Sequence, residues 1–355
     1  MNDSVYDGVR RRYSEGARQK VEALCCPVDY DPSLLAVLPR EIIEKDYGCG
    51  DPSRYVRPGD RVLDLGSGAG KICYMAAQLV GDKGHVTGID MTDDMLALAK
   101  KYQDDMATAI GSDRVTFKKG QIQDLALDPE ARRKYLAKRG ETEKQDEAGL
   151  ARWQARQRRE NPLIAEASQT LVISNCVLNL VAEADRRQMI REVYRVLVPG
   201  GRVAISDIVA DRPVPEAMKD DPELWSGCIS GAFHEAELLA AFADAGFVGV
   251  AYDKWEDTPW QVVNDIVFRS VTLTATRPAE PAVDGVESPF SVLYKGPGVR
   301  FEDDLGEVYP RGRRVSVSKS IYELIADGAY GGDFVCFDST TPTQPTANPQ
   351  GGCCG

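Results

Sequence analysis

Histidine is almost absent: the 355 residues contain two, His85 and His234. No Cys-x-x-Cys pair occurs either, so a zinc site of the usual spacing is not expected, nor is a catalytic His/Asp constellation. Basic charge falls short of acidic charge, 43 Lys and Arg against 55 Asp and Glu, giving a net charge of −12. An acidic surface repels nucleic-acid backbone and anionic lipid, so neither is expected as a partner. No apolar run approaches membrane-spanning length, and the first residues carry no signal-peptide core. A cytoplasmic location is therefore expected. There the nine cysteines are expected to be thiols for chemistry or metalloid binding, not a disulfide framework.

What is present is ordinary in bulk, with 43% apolar and 28% charged residues in a length suited to one large domain and an appendage. The informative stretch is Arg61–Ala76. Val62-Leu63-Asp64-Leu65 is the length of a buried strand. It ends in Gly66-Ser67-Gly68-Ala69-Gly70, and an apolar helical pattern follows at once. Strand, glycine turn and helix N-terminus make a cradle for a nucleotide-like ligand, because glycine removes the Cβ atoms that block close backbone approach. The spacing is G-x-G-x-G, not the dinucleotide G-x-G-x-x-G. The next predicted strand, His85–Asp90, ends in an acid where a ribose-binding carboxylate belongs.

Residues 3–24 are predicted to form an amphipathic helix, stopped by Pro27 just after the vicinal thiols Cys25 and Cys26. A second helix is expected at Ser33–Lys45, then a loop holding Cys49 between two glycines. Strands and helices then alternate: helix Gly70–Val80, strand His85–Asp90, helix Thr92–Met106, strand Arg114–Lys118. The alternation breaks at the charged residues 128–166, read as a helical surface insertion. It resumes with strand Thr170–Ser174, helix Asp185–Val196, strand Arg202–Ile208, helix Glu235–Ala245 and two final strands, Val248–Tyr252 and Ile266–Thr276. Such alternation specifies an α/β fold with a mostly parallel, doubly wound sheet. Beyond Arg277 come a Pro-rich linker, short strands at Ser291–Tyr294 and Arg314–Ser318, and a disordered tail ending in Cys353-Cys354.

Ligands of an open parallel sheet bind beyond the carboxyl ends of its strands. Cys176 follows the fourth strand, and Cys228 lies in the segment after the fifth. Cys49 lies in a loop free to fold across that edge, and Cys25 and Cys26 end the helix that would cap it. Soft thiolates select thiophilic ions, and a trivalent arsenic centre bonded to three sulfurs suits this set. Cys73, inside the helix after the glycine loop, reads as a packing residue.

Asp64-Leu65-Gly66-Ser67-Gly68-Ala69-Gly70 with Gly88-Ile89-Asp90-Met91 resembles the S-adenosylmethionine-dependent methyltransferases of the seven-stranded Rossmann-like class. Tyr47-Gly48-Cys49-Gly50, Ser174-Asn175-Cys176-Val177-Leu178-Asn179-Leu180 and Leu224-Trp225-Ser226-Gly227-Cys228 are similar to the arsenite methyltransferase family, and the insertion resembles its bacterial branch. The resemblance implies S-adenosylmethionine at Asp64, Gly66, Gly68, Asp90, Met91 and Ile122. It implies arsenic(III), delivered as arsenite or a thiol complex, on Cys49, Cys176 and Cys228, with thiolates as the binding form. It implies a redox partner for Cys49 at Cys26, or its neighbour Cys25, and a thiol reductant, glutathione or thioredoxin. The organisation expected is a helical cap with a cysteine loop (1–60), a methyltransferase domain (61–276) with an arsenic-binding segment (210–235), and an appendage with a cysteine-ending tail (277–355). Two other readings stay open: a methyltransferase of an organic small molecule whose cysteines merely pack, and a non-catalytic metalloid-binding protein that uses its tail.

Overall fold

The computed structural model describes residues 2–18, 28–45, 47–139, 146–279 and 288–340. Cys25, Cys26, Cys353 and Cys354 lie outside them. The chain divides into two compact units, Met1–Pro278 and Ala279–Gly355. Among the described residues no helix is long and apolar enough to cross a membrane.

The first unit is built on seven long strands: β1 (Arg61–Leu65), β2 (His85–Asp90), β3 (Val115–Lys119), β4 (Gln169–Asn175), β5 (Leu197–Ala210), β6 (Val248–Trp255) and β7 (Ile266–Thr276). Their order is β3-β2-β1-β4-β5-β7-β6, with β7 antiparallel to both neighbours and the rest parallel. The chain winds outward from β1 through β2 to β3, then returns to place β4 on β1's other side. That reversal opens a crevice beyond the tips of β1 and β4. Side chains alternate faces along each strand. Leu63, Leu65 and Val172 pack with Met189, Ile190 and Phe242 on one side of the sheet. Val62, Leu171 and Ile173 pack with Ile72, Met75 and Met95 on the other. Both faces of the central strands are therefore dry, as apolar runs without polar alternation require.

Several element boundaries differ from expectation. The helix expected at Ser33–Lys45 is two short ones, Pro32–Leu35 and Arg40–Lys45, because Pro39 has no N–H and its ring obstructs the preceding turn. The helix expected at Thr92–Met106 breaks at Tyr102 into Asp93–Lys101 and Gln103–Ile110. Tyr102 leaves helical geometry there (φ −104°, ψ 8°), and its hydroxyl is anchored on the Glu41 carboxylate. The N-terminal helix spans Asn2–Arg18, and the rest of its expected length lies outside the described residues. Among the described residues of 128–166 the helices are Pro129–Ala137 and Glu147–Glu160, capped by Asp128 and Asp146. Stacking of Tyr135 on Trp153, with centroids 4.3 Å apart, joins them.

In the second unit Phe290–Tyr294 is flanked by Arg314–Ser316 and Phe334–Asp338, both antiparallel to it. Val292, Tyr294, Tyr309 and Ile325 form its core. The third strand and the helix Lys319–Ala326 were not signalled by the sequence pattern.

Candidate functional site

The glycine turn after β1 is fastened to β2. Gly66 and Ser67 donate their N–H groups to the Ile89 carbonyl at 2.8 and 2.9 Å. Gly68 N–H donates to one carboxylate oxygen of Asp90 at 2.9 Å, and Thr92 N–H donates to the other at 2.7 Å. Gly66 is left-handed (φ 71°), and a Cβ there would sit 2.6 Å from the methyl groups of Val177. Only glycine suits that position. The result is a cleft of about 830 Å³, counting its open mouth, whose lining includes Asp64, Gly66, Gly68, Asp90, Met91 and Ile122. All six residues assigned to the nucleoside ligand thus share one cavity. Burial pushes the Asp90 carboxyl up, against the hydrogen bonds that favour its charge. Asp64 accepts from the buried Cys73 thiol at 3.2 Å, so Cys73 supports the cleft floor as well as packing in the core. Ser67 also lines the cleft, and its buried hydroxyl has no protein partner among the described residues. Spare hydroxyl capacity, two acidic groups and a glycine cradle fit the polar and cationic parts of S-adenosylmethionine.

The thiols come from three distant segments. Cys176 follows β4 and Cys228 follows the helix Pro222–Ser226, and both hold the left-handed conformation (φ 63° each) that side chains disfavour by about 1–2 kcal/mol. Outliers of this kind concentrate at functional sites. Cys49 is buried between Gly48 and Gly50. The sulfurs of Cys49 and Cys176 and a carboxylate oxygen of Asp207 all lie within 4.8 Å of one another. Cys228 joins through Cys176, donating its thiol to the Cys176 carbonyl at 3.3 Å and contacting the Cys176 sulfur.

Where deprotonated thiols are expected, the surroundings of Cys176 and Cys228 favour the thiol form. A hydrogen bond from Cys228 favours the Cys176 anion, but the contact with Cys49, burial and the nearby charges outweigh it and push the Cys176 thiol well up. The contact with Cys176, then burial, pushes Cys228 up as well. Three sulfurs and a carboxylate in a dry pocket cannot all carry charge.

Asp207, near the end of β5, escaped the sequence reading. Burial pushes its carboxyl up to about 6, although Leu178 N–H, Ile208 N–H and the Asn179 amide each donate to it at 2.8 Å. A lone acid inside the apolar run Ala204-Ile205-Ser206-Asp207-Ile208-Val209 was the available signal, since buried carboxylates are costly without a role. Tyr13, which the sequence marks only as part of the N-terminal amphipathic helix, hydrogen-bonds Cys228 while lining the cleft. Its helix is clasped in place by Tyr6 donating to Asp185 at 2.7 Å and Arg12 donating to the Ser226 hydroxyl at 2.8 Å. Of the predicted residues, the structure brings together Cys49, Cys176 and Cys228, while Cys26 is not described.

A seven-stranded sheet with one reversed strand, a glycine cradle after β1 and an acid at the tip of β2 define a class I methyltransferase. The family described as "Methyltransferase domain" matches residues 57–246, and a domain of unknown function (DUF8838) matches residues 281–354. Over 333 residues the chain is 32% identical to the arsenite methyltransferase of Mus musculus, covering 88% of this chain and 75% of that protein. It is 35% identical over 241 residues to the arsenite methyltransferase of Halobacterium salinarum, covering 65% of this chain and 51% of that one. Among solved structures it resembles CrArsM, an arsenic(III) S-adenosylmethionine methyltransferase from Chlamydomonas reinhardtii, at 28% identity and a TM-score of 0.59, covering 88% of this chain and 97% of that one. The chain belongs to the arsenite methyltransferase family. Its match spans three-quarters of the mouse protein but about half of the archaeal one.

Proposed function

We propose that the protein methylates trivalent arsenic, using S-adenosylmethionine as donor, in arsenic detoxification or biotransformation. One observation supports this above the rest: thiols from positions 49, 176 and 228 gather where the thiol-bearing turn, at Val177, touches the cofactor loop, at Gly66. Arsenite exchanges its three hydroxyls for Cys49, Cys176 and Cys228. Each protonated thiol gives its proton to a departing hydroxyl, so the step releases water and needs no general base. Three As–S bonds leave arsenic one lone pair, the nucleophile of the reaction. Asp64, Gly66, Gly68, Asp90, Met91 and Ile122 hold the donor, with Ser67 as a further hydroxyl. When bound, S-adenosylmethionine supplies an electrophilic methyl group on a sulfonium. The protein's contribution is chiefly positioning.

Methylation raises arsenic formally from the trivalent to the pentavalent state. The Cys26 thiol attacks the Cys49 sulfur and loses its one proton; the Cys49–arsenic bond breaks, its electron pair stays on arsenic and restores the trivalent state, and a Cys26–Cys49 disulfide is left. Glutathione or thioredoxin then reduces that disulfide. The test is replacement of Cys176 or Cys228 by serine, followed by speciation of the arsenic products. Loss of methylarsenicals is expected, and undiminished formation overturns the arsenic assignment while leaving the methyltransferase fold untouched.

A further inference from the structure

We propose that Asn175 is the positioning residue that holds Cys49 in the arsenic site, and thereby sets the preference for arsenite over already methylated arsenic. The proposal rests on the arsenic reading above. Asn175 ends β4, next to Cys176, and is 6% exposed. Its carboxamide oxygen accepts the N–H groups of Cys49 and Gly50 at 2.9 and 3.1 Å. Its amide nitrogen donates to the Gly50 carbonyl at 2.8 Å and reaches the Tyr30 hydroxyl at 3.3 Å. One side chain therefore binds the loop on both sides of the third thiol. The loop lies flat on it: a Cβ at Gly48 would come within 2.2 Å of the Asn175 amide. On the far side, a Cβ at Gly50 would meet Ser206 at 2.5 Å. Cys49 has no regular element of its own, so its sulfur is placed by these contacts and by Ser270, which donates to the Cys49 carbonyl.

The consequence for specificity is chemical. Arsenite has three exchangeable positions and uses all three thiols. Methylarsenite has one As–C bond and two exchangeable positions, which Cys176 and Cys228 fill without Cys49. Loosening Cys49 then penalises the first substrate more than the second.

The test measures the single-turnover rate of methyl transfer, which ends before Cys49 is needed as reductant, for arsenite and for methylarsenite in the wild-type protein, Asn175→Ala, Cys49→Ser and the double variant. The ratio of arsenite to methylarsenite should fall about tenfold in Asn175→Ala, the effect of losing buried hydrogen bonds to one loop. In the Cys49→Ser background the same change should leave the ratio where it is, because the residue acts through Cys49. Arsenic X-ray absorption should count three As–S bonds in wild type and two in Asn175→Ala. Gly48→Ala, which pushes the loop off Asn175 from the other side, should lower the ratio in the same way and serves if Asn175→Ala does not fold. An unchanged ratio with three As–S bonds overturns the proposal, as does an equal loss on both substrates. A wild-type protein that methylates neither substrate refutes the functional reading itself.

Discussion

The two rims of the cleft are built in opposite ways. The cofactor rim is mostly continuous chain: Asp64 through Thr92 supplies the strand tip, the glycine turn and the acid, hydrogen-bonded to one another. The thiol rim is assembled from four segments, contributing Cys49, Cys176, Asp207 and Cys228. Local hydrogen bonds position the first rim, so it forms whenever two adjacent strands form. Only the finished fold positions the second. Damage should therefore separate cleanly, with cofactor binding surviving loss of the thiols and arsenic binding surviving loss of the acid.

The largest effect expected is on the thiol rim. Cys228→Ser should reduce arsenic methylation by at least about a hundredfold, because a hydroxyl is a poor ligand for a thiophilic ion. S-adenosylhomocysteine affinity, read by calorimetry, should stay within about twofold; a parallel loss of both would mean that the rims are not separable. On the other rim, Gly66→Ala places a Cβ 2.6 Å from Val177 in a left-handed backbone. A cost of about 1–3 kcal/mol is expected, seen as ten- to hundredfold weaker S-adenosylhomocysteine binding and a lower Tm. Because Val177 adjoins Cys176, this variant also tests whether strain crosses between rims, through a change in arsenite affinity. Asp90→Asn removes the charge while keeping the shape. It should weaken S-adenosylhomocysteine binding about tenfold and leave arsenite binding intact. The smallest effect is a flat line. With thiol ionisation pushed up at Cys176 and Cys228, arsenite binding exchanges water and takes up no net protons, so affinity should hold constant between about pH 7 and pH 8, above the value of about 6 at which Asp207 titrates. Resting thiolates would consume protons on binding, and affinity would fall as pH rises.

The same contrast explains what the sequence made legible. The glycine turn and Asp90 could be read because their spacing along the chain is their spacing in space. The alternating core, Leu63 against Val62 and Val172 against Leu171, could be read for the same reason. Cys176 and Cys228 could be placed at the sheet edge from the strand-end rule, and the family resemblance supplied the role proposed for them. Asn175 could not be read, since its partners are Cys49 and Gly50, more than a hundred residues earlier. Asp207 was obscured by the apolar strand that carries it, and Tyr13 by a helical spacing that any packed face would show. The breaks at Pro39 and Tyr102 differ in kind: proline announces itself, whereas Tyr102 bends the chain through an anchor on Glu41.

Cys176 and Cys228 share a backbone geometry that glycine would adopt at less cost. Each sulfur is thus held against a local backbone cost of about 1–2 kcal/mol, so the chain is strained at two of the points where it presents a soft donor atom.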